Sequence, residues 1–149
     1  MSKLVELDII LRLYEQNFRN LHWNAKGMDF NDSHKSISND YYEMISKDVD
    51  KIAEMETILG MNPMNYREIS EAIDGTDRQY FLVDSKRHYS RAEVVKASDV
   101  MLNDICNVLA AAIEELDQPI NAGIKSELET LLYNYTVEAR YINKRRMEE

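Results

Sequence analysis

The fold is decided near the middle of the chain, by residues 60–89, which read GMNPMNYREISEAIDGTDRQYFLVDSKRHY. Asn62-Pro63 and Asp74-Gly75 are turn signals, and the residues between them predict a short helix, Tyr66 to Ile73, capped by Asn65. Helical periodicity continues on both sides of this stretch, so it predicts a long crossover connection. A crossover of this length is expected when two helices of a bundle run parallel.

Two helices are predicted before the crossover. Apolar residues recur at steps of three and four from about Lys3 to Asn24, where Gly27 soon breaks the pattern. Asp32 or Ser33 can cap a second helix, which runs to about Leu59. The predicted apolar faces consist of Leu4, Leu7, Leu11, Tyr14, Phe18 and Leu21 in the first helix and Ile37, Tyr41, Ile45, Val49, Ile52, Met55 and Leu59 in the second.

Two more helices follow the crossover. Ser90-Arg91-Ala92-Glu93 is typical of a capping box that opens the third helix, and Pro119 marks its end. Glu138 falls on the apolar register of the fourth helix, where a carboxylate needs a partner. The inward residues are Val94, Ala97, Met101, Ile105, Val108 and Ala112, then Ile124, Leu128, Leu131, Tyr135 and Ile142. Two helical hairpins joined by a crossover predict an all-α, ferritin-like four-helix bundle.

Composition agrees with this architecture. The 149 residues suit one domain, 1–149, and 44% of them are hydrophobic, which is enough for a core. Four glycines and two prolines argue against a turn-rich β protein. The sequence shows neither a signal peptide nor a bilayer-spanning apolar run, so we expect a cytoplasmic protein. The single cysteine, Cys106, excludes an intrachain disulfide and is expected to be buried.

The charge balance bears on the possible partners. A net charge of −9 disfavours direct DNA binding, because neutralising phosphates needs many basic side chains. The basic run Lys144-Arg145-Arg146 is followed by Glu148 and Glu149, and the dipole of a helix explains it equally well. An acidic surface attracts cations, although it serves solubility in any case.

Four side chains form a candidate metal-ligand set. His22 and His34 flank the first interhelical turn, and Asp50 and Glu54 form an i, i+4 pair on the second helix. Two imidazoles with two carboxylates suit Fe(II), Mn(II) or Zn(II). His34 and Asp50 are separated by about 24 Å along one helix at about 1.5 Å per residue, so they cannot bind one metal within a subunit. The four residues therefore form either a site shared with a two-fold-related copy or no site.

An intrasubunit di-iron centre has less support. Such a centre needs Glu-x-x-His on two helices, and the residues three before His22, His34 and His88 are Arg19, Asn31 and Ser85. Without a shared site, Asp50 and Glu54 would be a solvated face paired with Lys47 or Lys51, and Trp23 a packing residue.

The order of these residues resembles a known signature. His22-Trp23-Asn24-Ala25-Lys26-Gly27-Met28-Asp29-Phe30, then His34, Tyr42, Asp50-Lys51-Ile52-Ala53-Glu54 and Gly60, is similar to the pattern of the Dps family, the miniferritins named for DNA protection during starvation. The motif covers roughly Leu21 to Gly60, and the predicted helices extend the resemblance over nearly the whole chain.

The resemblance implies a specific activity. Members of the family form hollow dodecamers built from two-fold dimers, oxidise Fe(II), preferably with hydrogen peroxide, and store ferric mineral inside. By that resemblance His22 and His34 bind iron from one subunit, and Asp50 and Glu54 from the other. Trp23 and Tyr42 would lie beside the site and intercept stray oxidising equivalents.

Two departures from the family pattern keep an alternative open. The chain carries one extra residue between His34 and Asp50, which a π-bulge or an altered helix start can absorb. The family often has an acidic residue four positions after the second histidine, where this chain has Ser38. Both departures allow a Dps-like structural or interaction assembly without a working ferroxidase site.

Overall fold

Helices make up the architecture of residues 2–147, the part of the chain that the computed structural model describes. A bundle of four long helical rods is formed, and two of the rods contain a π-helical segment. The elements are α1 (Lys3–Asn24), a first π-helical segment (Asp32–Asn39), α2 (Asp40–Ile58), α3 (Tyr66–Asp74), α4 (Arg91–Glu115), a 3-10 turn (Pro119–Asn121), α5 (Ala122–Asn134), a second π-helical segment (Tyr135–Tyr141) and α6 (Ile142–Met147).

The directions of the helices explain the long connection. The backbone N–H of Lys3 donates to Glu115 (2.7 Å), and at the other end of α1 Lys26 donates to the carbonyl of Tyr89 (2.9 Å), so α1 and α4 are antiparallel. A short turn makes α2 antiparallel to α1 as well. It follows that α2 and α4 run parallel and need a crossover, as residues 60–89 predicted.

Two capping boxes start the helices that the sequence assigned to them. The side chain of Asn65 accepts from the N–H of Glu68 at the start of α3, and Ser90 does the same for Glu93 at the start of α4. In each case the glutamate accepts in return from the backbone N–H of the capping residue. The predictions for α1, α3 and the start of α4 are confirmed.

The crossover is fixed to the bundle by polar contacts. Arg78 pairs with Glu6 of α1 (2.8 Å) and with Asp104 of α4, which also accepts from the hydroxyl of Tyr14. Farther along, the carbonyl of Phe81 accepts from the side-chain amide of Asn17 (2.8 Å). These contacts hold the connection against α1 and α4, and its last residue, Tyr89, reaches the first interhelical turn.

The start of the second rod differs from the prediction. Neither Asp32 nor Ser33 caps it: Asp32 pairs with Arg91 (2.6 Å), and the hydroxyl of Ser33 donates to the carbonyls of Asp29 and Phe30 (3.2 Å each). The rod begins in π-helical geometry, whose i→i+5 bonding accommodates one extra residue per turn. The π-bulge expected from the extra residue after His34 is therefore present.

The second π-helical segment corrects the predicted face of the fourth rod. The wider turn moves the buried positions along by one residue, so Ala139 and Asn143 are buried after Tyr135. Ile142, predicted to be inward, is 43% exposed, and Glu138 is exposed and needs no buried partner. Leu128, Leu131 and Tyr135 are buried as predicted, since they precede the shift.

The buried apolar side chains of all four rods form one cluster. Cys106 lies in it as predicted, and burial raises the pKa of its thiol. Among residues 2–147, no helix combines the length and hydropathy that a membrane span requires.

Candidate metal centre

The first interhelical turn brings His22 and His34 together. His22 lies in the last turn of α1, and His34 lies in the first π-helical segment. Between them Gly27 has a φ of 115°, a conformation that a residue with a Cβ rarely adopts. The turn is joined to α4 through the bridge between Ala25 and Tyr89. The thirteen residues from His22 to His34 therefore form a closed turn.

Each histidine is oriented by the backbone of the other. Nδ1 of His22 contacts the carbonyl of His34 at 2.6 Å, and Nδ1 of His34 contacts the carbonyl of His22 at 2.7 Å. A carbonyl only accepts, so each Nδ1 carries the hydrogen. In the neutral imidazole this leaves Nε2 with its lone pair free, which is the state that a metal ligand needs.

The two imidazoles belong to a stack of rings. The centroids of His22 and His34 are 3.7 Å apart with 14° between the planes, and Phe30 stacks on the outer side of His34 at 4.6 Å. On the other side, Tyr42 meets His22 edge to face at 5.6 Å, and the guanidinium of Arg19 lies 4.9 Å from the centroid of the Tyr42 ring. The stack restricts both imidazoles to one orientation.

Phe30 and Arg19 are contributors that the sequence did not assign. Phe30 belongs to the motif that resembles the Dps pattern, but the sequence predicts no role for it, because its stacking on His34 depends on the conformation of the turn. Arg19 precedes His22 by three residues, so both lie on one face of α1, and that spacing was the available signal.

Of the two predicted redox side chains, only Tyr42 touches the histidines. It is half-buried against His22, whereas Trp23 is 60% exposed at the end of α1. An exposed indole next to a ligand residue is open to a partner surface or to solvent.

The predicted carboxylates lie elsewhere on the second rod. Asp50 and Glu54 are exposed on α2, eight and twelve residues beyond Tyr42, so they are about 12 to 18 Å farther along the helix. Their side chains make no hydrogen bond or ion pair with any part of residues 2–147, and Lys51 pairs with Asp48 instead (3.8 Å). Within the same residues, no three His, Cys, Asp or Glu side chains are grouped closely enough to hold a metal.

Ser38 replaces the acidic residue of the family pattern but does not face the histidines. It is fully buried, and its hydroxyl donates to the carbonyl of Ser33. Asn39, which follows it and ends the π-helical segment, is half-buried. One chain therefore offers two imidazoles here, and Ser38 supplies no carboxylate beside them.

The architecture defines the structural class of the protein: two helical hairpins joined by a long crossover make a ferritin-like four-helix bundle. Among solved structures, the CAIP protein of Helicobacter cinaedi matches with a TM-score of 0.83 at 19% identity over 97% of this chain and 96% of that one. A Dps protein from Bacillus brevis matches with a TM-score of 0.82 at 16% identity over 97% and 92%.

Dps from Listeria innocua, in a crystal soaked with cobalt, matches with a TM-score of 0.72 at 16% identity over 89% of this chain and 83% of that one. No protein-family model and no curated protein sequence matches the chain. The chain thus has the fold of Dps proteins, as the sequence resemblance implied, at identities that show the fold alone.

Proposed function

We propose that this chain is a cytoplasmic miniferritin that oxidises Fe(II) at sites shared between two copies and stores ferric mineral inside a hollow dodecamer. The observation that carries the proposal is the state of the two histidines. Nδ1 of each imidazole contacts the backbone carbonyl of the other, at a turn where residues 2–147 supply no third ligand.

A second copy can supply what is missing. Asp50 and Glu54 are exposed, have no ion-pair partner within residues 2–147, and lie too far along α2 to reach the histidines of their own chain. In an antiparallel, two-fold arrangement of α1 and α2, the carboxylates of each copy approach the imidazoles of the other. Two equivalent sites per dimer result, each with two nitrogen and two carboxylate ligands.

The surface beside the site supports such a dimer. A cleft of about 540 Å³ runs along α1 and α2 toward the crossover, and apolar side chains from these elements line it, among them Leu13, Val49, Ile69, Ile73 and the 63% exposed Leu82. Val49 is the α2 residue of this lining, and Asp50 follows it in the chain. Exposed apolar surface of this kind is typical of a protein–protein contact.

Iron is the substrate of the proposed reaction. Each hydrogen peroxide molecule takes one electron from each of two Fe(II) ions and also two protons, so two Fe(III) ions and two waters are formed. Carboxylate oxygens are hard ligands that favour Fe(III), while the imidazoles give affinity for Fe(II). Trp23 and Tyr42 would donate electrons to any oxidising species that Fe(II) does not reduce. Oxygen would be a slower oxidant than hydrogen peroxide.

Direct DNA binding is not part of the proposal. Lys144 of the basic run pairs with Asp99 (3.3 Å), and Arg146 bonds to Tyr41 and Ser36, so these cations are engaged within the chain. Glu148 and Glu149, which follow the run, lie outside the described residues. Protection of DNA would then be chemical, through removal of Fe(II) and peroxide.

A non-catalytic Dps-like assembly is the second candidate. The burial of Ser38 favours it, since it leaves the histidine side of the site without a carboxylate of its own. Under this alternative the oligomer forms but Fe(II) is oxidised no faster than in buffer. The two candidates thus predict the same particle and different chemistry.

Iron loading separates the two candidates. Fe(II) is added anaerobically to the oligomer, hydrogen peroxide follows, and the rise of ferric absorbance is recorded for wild type, His22→Ala and the control His88→Ala. His88 is exposed and outside the site, so its variant should match wild type. We expect His22→Ala to be slower by roughly tenfold or more, the scale of lost metal-site interactions. Equal rates for His22→Ala and wild type would remove the site.

A further inference from the structure

The first π-helical segment, which carries His34, is tied to the C-terminal end of the chain. We propose that Arg146 and Tyr41 are positioning residues for His34, which they hold in place by anchoring this segment. The inference rests on the proposed function, because it concerns the geometry of the same metal site. Neither residue touches the imidazoles; both act through the backbone that bears His34.

Arg146 makes the connection from α6. Its Nη1 donates to the hydroxyl oxygen of Tyr41 at 2.8 Å, and its Nη2 donates to the carbonyl of Ser36 at 3.2 Å. The guanidinium also lies 6.0 Å from the centroid of the Tyr41 ring. Ser36 is two residues beyond His34 in the same π-helical segment, so one side chain of α6 bonds directly to the backbone that positions a ligand.

Tyr41 makes the connection from the inside. It is 5% exposed, its ring packs edge to face on Phe18 of α1 at 5.3 Å, and its hydroxyl lies 3.4 Å from both the carbonyl of Ala139 and Oδ1 of Asn143. Asn143 is fully buried and donates in turn to the carbonyl of Val95 in α4 (2.9 Å). Tyr41 therefore joins the end of the π-helical segment to three other elements.

The segment needs such anchors because π-helical geometry is rare and locally unfavourable compared with an α-helix. Its backbone performs two tasks at the site: it carries the ring of His34, and its carbonyl at His34 orients the ring of His22. If the segment relaxes, both imidazoles lose their orientation at once. Contacts outside the ligand shell that orient ligands commonly affect metal affinity by tenfold or more.

The test compares four variants by cobalt binding. Co(II) is titrated into the intact oligomer and its visible d–d absorption is recorded. We expect roughly tenfold weaker binding for Arg146→Gln, a loss in the same direction for Tyr41→Phe, and an intermediate value for Arg146→Lys, which keeps the charge but not the paired donors. Lys35→Gln is the matched control, since it removes an exposed cation next to His34 that makes no hydrogen bond or ion pair within residues 2–147, and it should bind cobalt like wild type.

Hydrogen exchange of the metal-free oligomer gives an independent reading. Peptides covering residues 32–39 should exchange several times faster in Arg146→Gln and Tyr41→Phe than in wild type, while the exchange rates of peptides from α1 and α4 should not change. Wild-type exchange and affinity in both variants would overturn the inference, and so would an equal loss of protection in every helix. If wild type itself binds no cobalt, the proposed function fails, while the exchange result still decides whether these residues anchor the segment.

Discussion

Glu56 is a buried acid whose partner is another acid. It is 1% exposed and lies beside Asp8 of α1, which Arg12 binds through Nε (2.8 Å) and Nη2 (3.0 Å). Burial is the main cause that raises the pKa of Glu56 to about 8, and the hydrogen bond and the charge of Asp8 add to it. At neutral pH Glu56 is therefore protonated and donates to the carboxylate of Asp8.

We expect Glu56→Gln to stabilise the protein at alkaline pH. The folded chain keeps a proton on Glu56 that the unfolded chain releases above its ordinary pKa of 4.5, so wild type loses stability between about 4.5 and about 8. The amide of glutamine can donate to Asp8 without titrating. The melting temperature of the variant minus that of wild type should grow from pH 5 to pH 8 and then level off.

Glu127→Gln is the control for this prediction, because Glu127 is exposed on α5. The melting temperature of this variant minus that of wild type should not change between pH 5 and pH 8. A Glu56→Gln variant whose melting temperature falls below that of wild type at pH 8 would show that Glu56 is charged and paired in the folded state.

Local spacing could predict some functional residues but not others. His22, His34, Asp50 and Glu54 are recognisable because their order and helical positions are visible in the sequence. The contact between Asp8 and Glu56 joins residues 48 positions apart on two helices, and nothing in either neighbourhood marks it. Ser38 is recognisable in the sequence because the Dps pattern often has an acidic residue at this position. Its burial, in contrast, follows from the π-helical turn that the structure shows.

At the scale of single elements, the start of α4 depends on Ser90. Its hydroxyl oxygen accepts from the N–H of Glu93 at 3.2 Å, and Ser90→Ala leaves that N–H without its partner. We expect a loss of about 1 kcal/mol in the free energy of unfolding, measured by urea denaturation. Ser126→Ala, on the exposed side of α5, should cost nothing, because alanine is the better helix former away from a cap. Equal losses in the two variants would show that the capping bond does not contribute.

The π-helical segments mark the limit of element prediction. The first could be anticipated, since an extra residue between two motif positions has to be absorbed somewhere in the helix. The second has no such signal in the sequence. An uninterrupted 3.6-residue period through Tyr135 predicts that Ile142 points inward and that Glu138 lies on the buried face. The wider turn at Tyr135–Tyr141 instead buries Ala139 and Asn143. Periodicity is thus reliable only as long as the helix type does not change.

At the scale of the whole molecule, the length of the crossover was enough to predict the relative directions of α2 and α4. Chain reach also limits what one copy can do, because His34 and the exposed carboxylates Asp50 and Glu54 lie far apart along the same rod. The sequence supports a two-fold pair through this reach, while the number of copies in the particle follows only from the resemblance to Dps proteins. The central claim is therefore that each metal site takes ligands from two chains.

Mixing two defective subunits tests that claim most directly. One subunit carries His22→Ala with His34→Ala, the other Asp50→Ala with Glu54→Ala, and Fe(II) oxidation by peroxide is measured for each alone and for the coexpressed mixture. Each alone should be inactive. With random pairing half of the dimers are mixed and each mixed dimer has one intact site, so the mixture should recover about a quarter of the wild-type rate. A mixture that is no faster than its separate components would contradict a shared site.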